Sequence, residues 1–152
     1  MTRPTVLTDD IGKLTGQGLE ARARMHSGAF FGCLLRCPHM LSSDELSELL
    51  EGAIDRGKLS PAEVEEIQWA DLVVRGVRRA DGATVHLVVE ISWTVDIDDV
   101  ERAAHRAALL AKTGITAQLV VAGETVRSAA VQLARALQGW QVTDKEAILS
   151  PT

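Results

Sequence analysis

Residues 70–93 read ADLVVRGVRRADGATVHLVVEISW. Two runs rich in branched residues, DLVVRGV and TVHLVVEISW, flank the dipeptide Asp81-Gly82, a strong signal for a tight hairpin. They are expected to be antiparallel neighbours. With Asp81 and Gly82 as the turn, Ala80 faces Ala83, Val73 faces Glu90 and Asp71 faces Ser92. Side chains alternate along a strand, so Asp71, Val73 and Arg75 share one face with Val88, Glu90 and Ser92. Asp71 and Glu90 are then diagonal neighbours, about 7 Å apart at their backbones. His86 falls on the same face and reads as a polar residue at the solvent end of its strand.

Two ionised carboxylates converging on an apolar surface repel each other and lose hydration, so a cation, a basic side chain or a proton is expected between them. Magnesium suits such a pair, because it takes one or two protein carboxylates and completes its shell with water and phosphate oxygens. Its chemistry there would be activation of water and stabilisation of the charge that develops during phosphodiester cleavage.

Working outward, DIDDVERAAHRAALLAKTG reads as a helix with acids in its first turn, Gly114 as its stop, and Val100, Ala103, Ala104, Ala107 and Ala111 on a flat face. ITAQLVVAG follows as a buried strand, then a helix ending at Gly139, then WQVTD as an edge strand. A crossover helix lets the third strand lie parallel to the second. Upstream, Ser42 and Glu45 make a capping box for a helix with Leu46, Leu49, Leu50 and Ile54 in one stripe. Ser60, Pro61 and Glu63 repeat the signal for a short helix that turns Val64, Ile67 and Trp69 inward. Residues 16–25 form a first helix, with a second helical piece or turn through Leu35. The expectation is one domain over 1–152, with a helical part at 1–68 and an α/β core at 69–142 built on a mixed sheet.

Composition sets limits. The chain has 152 residues, 46% of them hydrophobic, and a net charge of −5, which argues against nucleic-acid binding through a broad basic surface. With 3% aromatic residues and no tyrosine, few stacking platforms are expected. Asp9 and Asp10 interrupt any signal-peptide core, and no stretch is long and apolar enough for a membrane span, so a cytoplasmic protein is expected. Cys33, Cys37 and His39 in CLLRCPHM suggest zinc. Their spacing is unusual, however, and a fourth ligand would have to be His26, His105 or a distant acid; small buried thiols are the better reading. TGQGLE lacks the strand-to-helix context of a phosphate loop. Trp93 and Trp140 read as core or interface anchors.

ADLVVRG, with Asp71, and VVEIS, with Glu90, Ile91 and Ser92, resemble the two half-motifs of the PD-(D/E)XK nuclease superfamily, which includes many restriction enzymes and Holliday junction resolvases. Ala70 stands where the family often has proline. The helix DDVERAAHRAALL and the strand AQLVVAG come in the family's order, so the resemblance spans about residues 69–138. The run VVEISWTVDIDDVERAAHRAALL is also similar to uncharacterised bacterial proteins assigned to that superfamily. The resemblance implies a restriction-endonuclease-like fold and a magnesium or manganese ion held by Asp71 and Glu90, with the Ile91 carbonyl and Glu20 of GLEARAR completing the shell. It implies nucleic acid as substrate, DNA before RNA. The family's lysine falls at Ser92, which carries no charge; Arg75, Arg102 or Arg106 would have to supply it. The alternative is a non-catalytic nucleic-acid or protein-interaction module on the same fold. A plainer reading has Asp71 capping a turn and Glu90 paired with Arg75, and the alanine-rich faces of 100–111 and 128–136 also suit a homodimer.

Overall fold

The two capping boxes read from the sequence both form. The Ser42 hydroxyl accepts the Glu45 N–H while the Glu45 carboxylate accepts the Ser42 N–H, and Ser60 and Glu63 repeat the exchange behind Pro61. Each box satisfies backbone donors that a helix start leaves open. The computed structural model describes residues 17–143 and 147–148. Helical residues 17–25 (α1) and Ser27–Phe31 (α2) precede strand Leu35–Met40 (β1) and helices Ser43–Asp55 (α3) and Pro61–Gln68 (α4). The hairpin strands are Leu72–Arg78 (β2) and Thr84–Ile91 (β3), followed by the short Thr94–Val95 (β4) and helix Ile97–Ala111 (α5). Ala117–Gly123 (β5), Thr125–Val126 (β6), Ser128–Ala136 (α6), Trp140–Thr143 (β7) and Ala147–Ile148 (β8) complete the order.

The main sheet runs β1-β2-β3-β5-β7-β8, and β4 pairs with β6 in a separate two-stranded ladder. Strands β1, β2 and β3 are antiparallel; β3, β5 and β7 are parallel, with α5 and α6 as the crossovers; β8 turns back antiparallel on β7. This is the mixed α/β sheet expected. On one face Val73, Val88, Leu119 and Val121 pack under α3, α4, α5 and α6 through Leu50, Ile67, Ala103 and Ala134. On the other, Val74, Leu87, Val89 and Val120 pack against Ala23, Phe31 and Leu34. No helix among the described residues is long and apolar enough to cross a membrane.

Two departures from the sequence reading matter. First, β1 lies inside the stretch read as helical. Only Leu35 of this edge strand is buried, so it lacks the apolar alternation that marks a half-buried strand. Cys37 has φ 52° and the pairing with β2 shifts between Arg36 and His39, which breaks its regularity further. Second, the hairpin closes earlier than the Asp81-Gly82 turn implies. Arg78 N–H bonds the Ala83 carbonyl at 2.7 Å, and Val73 faces Val88 instead of Glu90. The cause is Asp81: its carboxylate accepts the Ala83 N–H at 3.1 Å and is gripped by the Arg78 guanidinium. That grip holds its pKa down to about 2. The slip is two residues, so every side chain keeps its face.

Candidate functional site

The register puts Leu72 opposite Val89; the next pair outward brings Asp71 directly opposite Glu90, closer than the diagonal expected. Each acid accepts a main-chain N–H from the facing segment. Ile91 N–H donates to Asp71 Oδ2 at 2.7 Å, and Asp71 N–H donates to Glu90 Oε2 at 3.4 Å. Glu90 is only 4% exposed and Asp71 is half-buried.

The positive charge that the pair demands comes from α5. Arg106, 7% exposed, places Nη1 2.9 Å from Glu90 Oε1 and Nε 3.2 Å from Glu66 Oε1 of α4. Arg102, one helical turn earlier and on the same face, has Nε 3.8 Å from the same Glu90 oxygen and binds Asp99 with Nη2. Asp99 is itself buried, and its second oxygen accepts the Asp96 N–H that caps α5. Burial, then the charge of Asp71, pushes the Glu90 pKa up against the pull of Arg106. Burial also raises Asp99, with the charges of Asp96 and Asp71 adding to it. Glu90, Asp99 and Glu66 thus share two guanidinium groups, and the Asp71 carboxylate, paired with neither, lies directly beside Glu90.

Several expected members lie elsewhere. Arg75 faces His86, four residues along β2 from Asp71 and so about 13 Å away at roughly 3.3 Å per residue; Glu90 pairs with Arg106 in its place. The Ser92 hydroxyl donates to the Thr94 carbonyl at 3.0 Å. Glu20, on α1, sits 3.6 Å from Arg24 Nη2, and the same nitrogen donates to the Asp71 carbonyl at 2.8 Å. Glu20 is therefore tied to the main chain of Asp71 through Arg24. Ile91 contributes its N–H to the carboxylate pair. Asp99 and Glu66 were not picked out from the sequence. The spacing Asp99, Arg102, Arg106 on one helix face carried a signal for the first, whereas Glu66 joins only through the packing of α4 on α5.

Cys33 and Cys37 are exposed free thiols, not buried ones, and His39 instead bonds Glu45. Trp140 is buried as an anchor, but Trp69 is 69% exposed and Trp93 also reaches solvent. A concavity of about 700 Å³ lies at the other end of the sheet beside Arg78, Ala111 and Trp140 and does not contain the carboxylates.

A divalent cation fits the donors present. Among the described residues, Asp71 Oδ1 makes no hydrogen bond and Glu90 Oε2 has only the 3.4 Å contact. No group of three His, Cys, Asp or Glu side chains is arranged to hold a metal among the described residues; magnesium takes one or two protein carboxylates and fills its remaining positions with water. Comparison of the chain with family models, with curated protein sequences and with solved structures finds no match.

Proposed function

We propose that the protein is a magnesium-dependent phosphodiesterase acting on nucleic acid, built on a restriction-endonuclease-like domain of the PD-(D/E)XK type. The observation that supports this is the direct apposition of the half-buried Asp71 and the buried Glu90, of which the Asp71 carboxylate has no guanidinium partner among the described residues. Bound there, magnesium supplies an activated water and a counter-charge for the phosphodiester. Asp71 Oδ1 and Glu90 would hold the ion, while the Ile91 N–H fixes the other Asp71 oxygen. Arg102, about half exposed, stands in for the missing lysine by facing substrate phosphate.

Trp69 adds a contact that the low aromatic content did not suggest. Its carbonyl accepts from the same Arg106 Nη1 that holds Glu90, so the main chain of Trp69 adjoins the cluster, and its indole is 69% exposed and free to stack on a base. Trp69→Ala is expected to weaken oligonucleotide binding by about 1–3 kcal/mol, the range for one stacked base. Fluorescence anisotropy with labelled single strands reads this directly, and the variant should bind manganese as the wild type does.

The deciding experiment is calorimetric titration of manganese into wild-type, Asp71→Ala and Glu90→Ala proteins, followed by a cleavage assay on DNA with magnesium. The expected result is one ion per chain, lost in both variants together with cleavage. Absence of wild-type binding, alone and with oligonucleotide present, would overturn the proposal. The close Arg106 to Glu90 contact and the uncharged Ser92 favour a second reading, a non-catalytic nucleic-acid or protein-interaction module. Its mark would be partner binding that survives Asp71→Ala, with no cleavage by the wild type.

A further inference from the structure

Asp71 stands one residue before β2 begins, just outside the register that pairs β2 with β1 and β3. On the β1 side, Leu41 N–H takes the Val73 carbonyl at 2.9 Å. Beyond it the chain leaves the sheet for α3, which starts at Ser43. Carbonyls two residues apart point the same way along a strand, so the Asp71 carbonyl faces the place where β1 has ended. Arg24 fills it: Nη2 donates to that carbonyl at 2.8 Å, and Nη1 lies 3.5 Å from Sδ of Met40, the last residue of β1.

Helix α1 is placed to supply this contact. Leu19 and Ala23 are buried, Ala23 in the core with Val74 and Val89 of β2 and β3, which fixes where residue 24 leaves the helix. Glu20, one turn earlier, has Oε1 3.6 Å from the same Arg24 Nη2. The carboxylate of Asp71 is held from another direction: Ile91 N–H bonds Oδ2 at 2.7 Å, whereas the bond from Asp71 N–H to Glu90 is long at 3.4 Å. Two short contacts, one on the side chain and one on the carbonyl, therefore set the orientation of this residue. With the second removed, the peptide after Asp71 can turn, and the carboxylate turns with it.

We infer that Arg24 is a positioning residue for the carboxylate pair: it holds the Asp71 carbonyl so that the carboxylate stays against Glu90, and Glu20 acts through Arg24 by steadying its guanidinium. The inference rests on the reading of the pair as an ion site, and it gives Glu20 a task other than ligation. Charge alone predicts the opposite of positioning. Arg24 is a cation bonded to the main chain of a proposed ion ligand, and like charges repel. If only its charge mattered, its removal would strengthen ion binding. If it positions Asp71, its removal weakens ion binding, so the sign of the change separates the two.

The test is calorimetric titration of manganese into the full chain and its Arg24→Gln, Glu20→Gln and doubly substituted variants, joined to amide hydrogen exchange by NMR without metal. Arg24→Gln is expected to weaken manganese binding about tenfold, the lower end for groups that orient metal ligands. Glu20→Gln should weaken it less and add nothing on top of Arg24→Gln, because residues that act as a unit are not additive. Arg24→Lys, which keeps a charged donor, should recover part of the loss. Without metal, the Ile91 amide should exchange faster in Arg24→Gln while the amides of β5 keep wild-type rates, which marks a local release of Asp71 and not a general loosening. Unchanged or stronger manganese binding by Arg24→Gln would overturn the inference. So would a Glu20→Gln loss of equal size in both backgrounds, the mark of a direct ligand. If the wild type binds no manganese, the ion-site reading fails separately and the Ile91 amide alone decides: faster local exchange upholds the grip of Arg24 on Asp71, and wild-type exchange overturns it.

Discussion

Arg106→Ala should destabilise the protein by about 3–5 kcal/mol at neutral pH, the range for removing one partner of a buried ion pair. Arg106 and Glu90 are both almost fully covered and meet at 2.9 Å. Without the guanidinium, Glu90 keeps its burial and the repulsion of Asp71 and loses its main counter-charge. Glu66, the other partner, is more than a third exposed, and water readily replaces the contact there. The sign of the pH dependence follows. The Glu90 pKa is already raised in the folded state, and loss of Arg106 raises it further. A carboxyl group shifted upward adds stability that is complete below its unfolded value and disappears as pH rises through its folded one. The deficit of Arg106→Ala should therefore be large at pH 8 and shrink on acidification, as Glu90 takes up a proton. Urea unfolding of both proteins across this range measures it. A deficit of equal size at every pH would mean that Arg106 matters for its packing and not for its charge.

What the sequence made legible is what local chemistry controls. The helices α3 and α4 announce themselves through Ser42 with Glu45 and Ser60 with Glu63, and both boxes form. The hairpin strands and the face of the sheet that bears Asp71 and Glu90 follow from alternation, and they survive a register error because the slip is by an even number. The slip itself was not legible, since it depends on the Asp81 carboxylate choosing the Ala83 N–H over a place at the centre of the turn. β1 was missed because an edge strand with one buried residue has no pattern to read. Trp69 was turned inward on a helical count, but α4 ends at Gln68 and leaves it exposed at the cap. The counter-charge shows the deeper limit. Arg75 shares the Glu90 face by parity, yet parity says nothing of distance along the strand. Arg106 reaches Glu90 because α5 packs on the sheet, burying Val100, Ala103, Ala107 and Leu110 in the shared core, and this docking is not written in the local sequence.

Gly123→Ala should lower stability by about 3 kcal/mol, the upper end for overpacking, and impair the carboxylate site as well. Gly123 ends β5 where the chain leaving β3 passes over it. A methyl group there would fall well inside contact distance of the Ser92 carbonyl oxygen and 2.8 Å from Val95 Cγ2. A backbone oxygen cannot rotate aside as a flexible side chain can. The two segments are also laced together: Ser92 N–H bonds Ala122 O at 3.0 Å, Glu124 and Thr125 N–H bond Trp93 O at 3.1 and 3.2 Å, and Arg127 N–H bonds Val95 O at 2.9 Å. Making room for the methyl must stretch these bonds and push Ser92 away from β5. Ile91 is the next residue back, and its N–H holds Asp71 Oδ2, so the displacement reaches the carboxylate pair. Gly52→Ala is the matched control. It lies in α3, where the added carbon would meet only the mobile tip of Arg56, and alanine in a helix interior is favoured over glycine by about 0.5–1 kcal/mol. Unfolding midpoints and manganese titration should therefore separate the two variants in opposite directions, with Gly52→Ala at or above wild type and Gly123→Ala below it in both. An unchanged midpoint and unchanged ion binding in Gly123→Ala would mean that the close passage of these segments neither limits the fold nor positions Asp71.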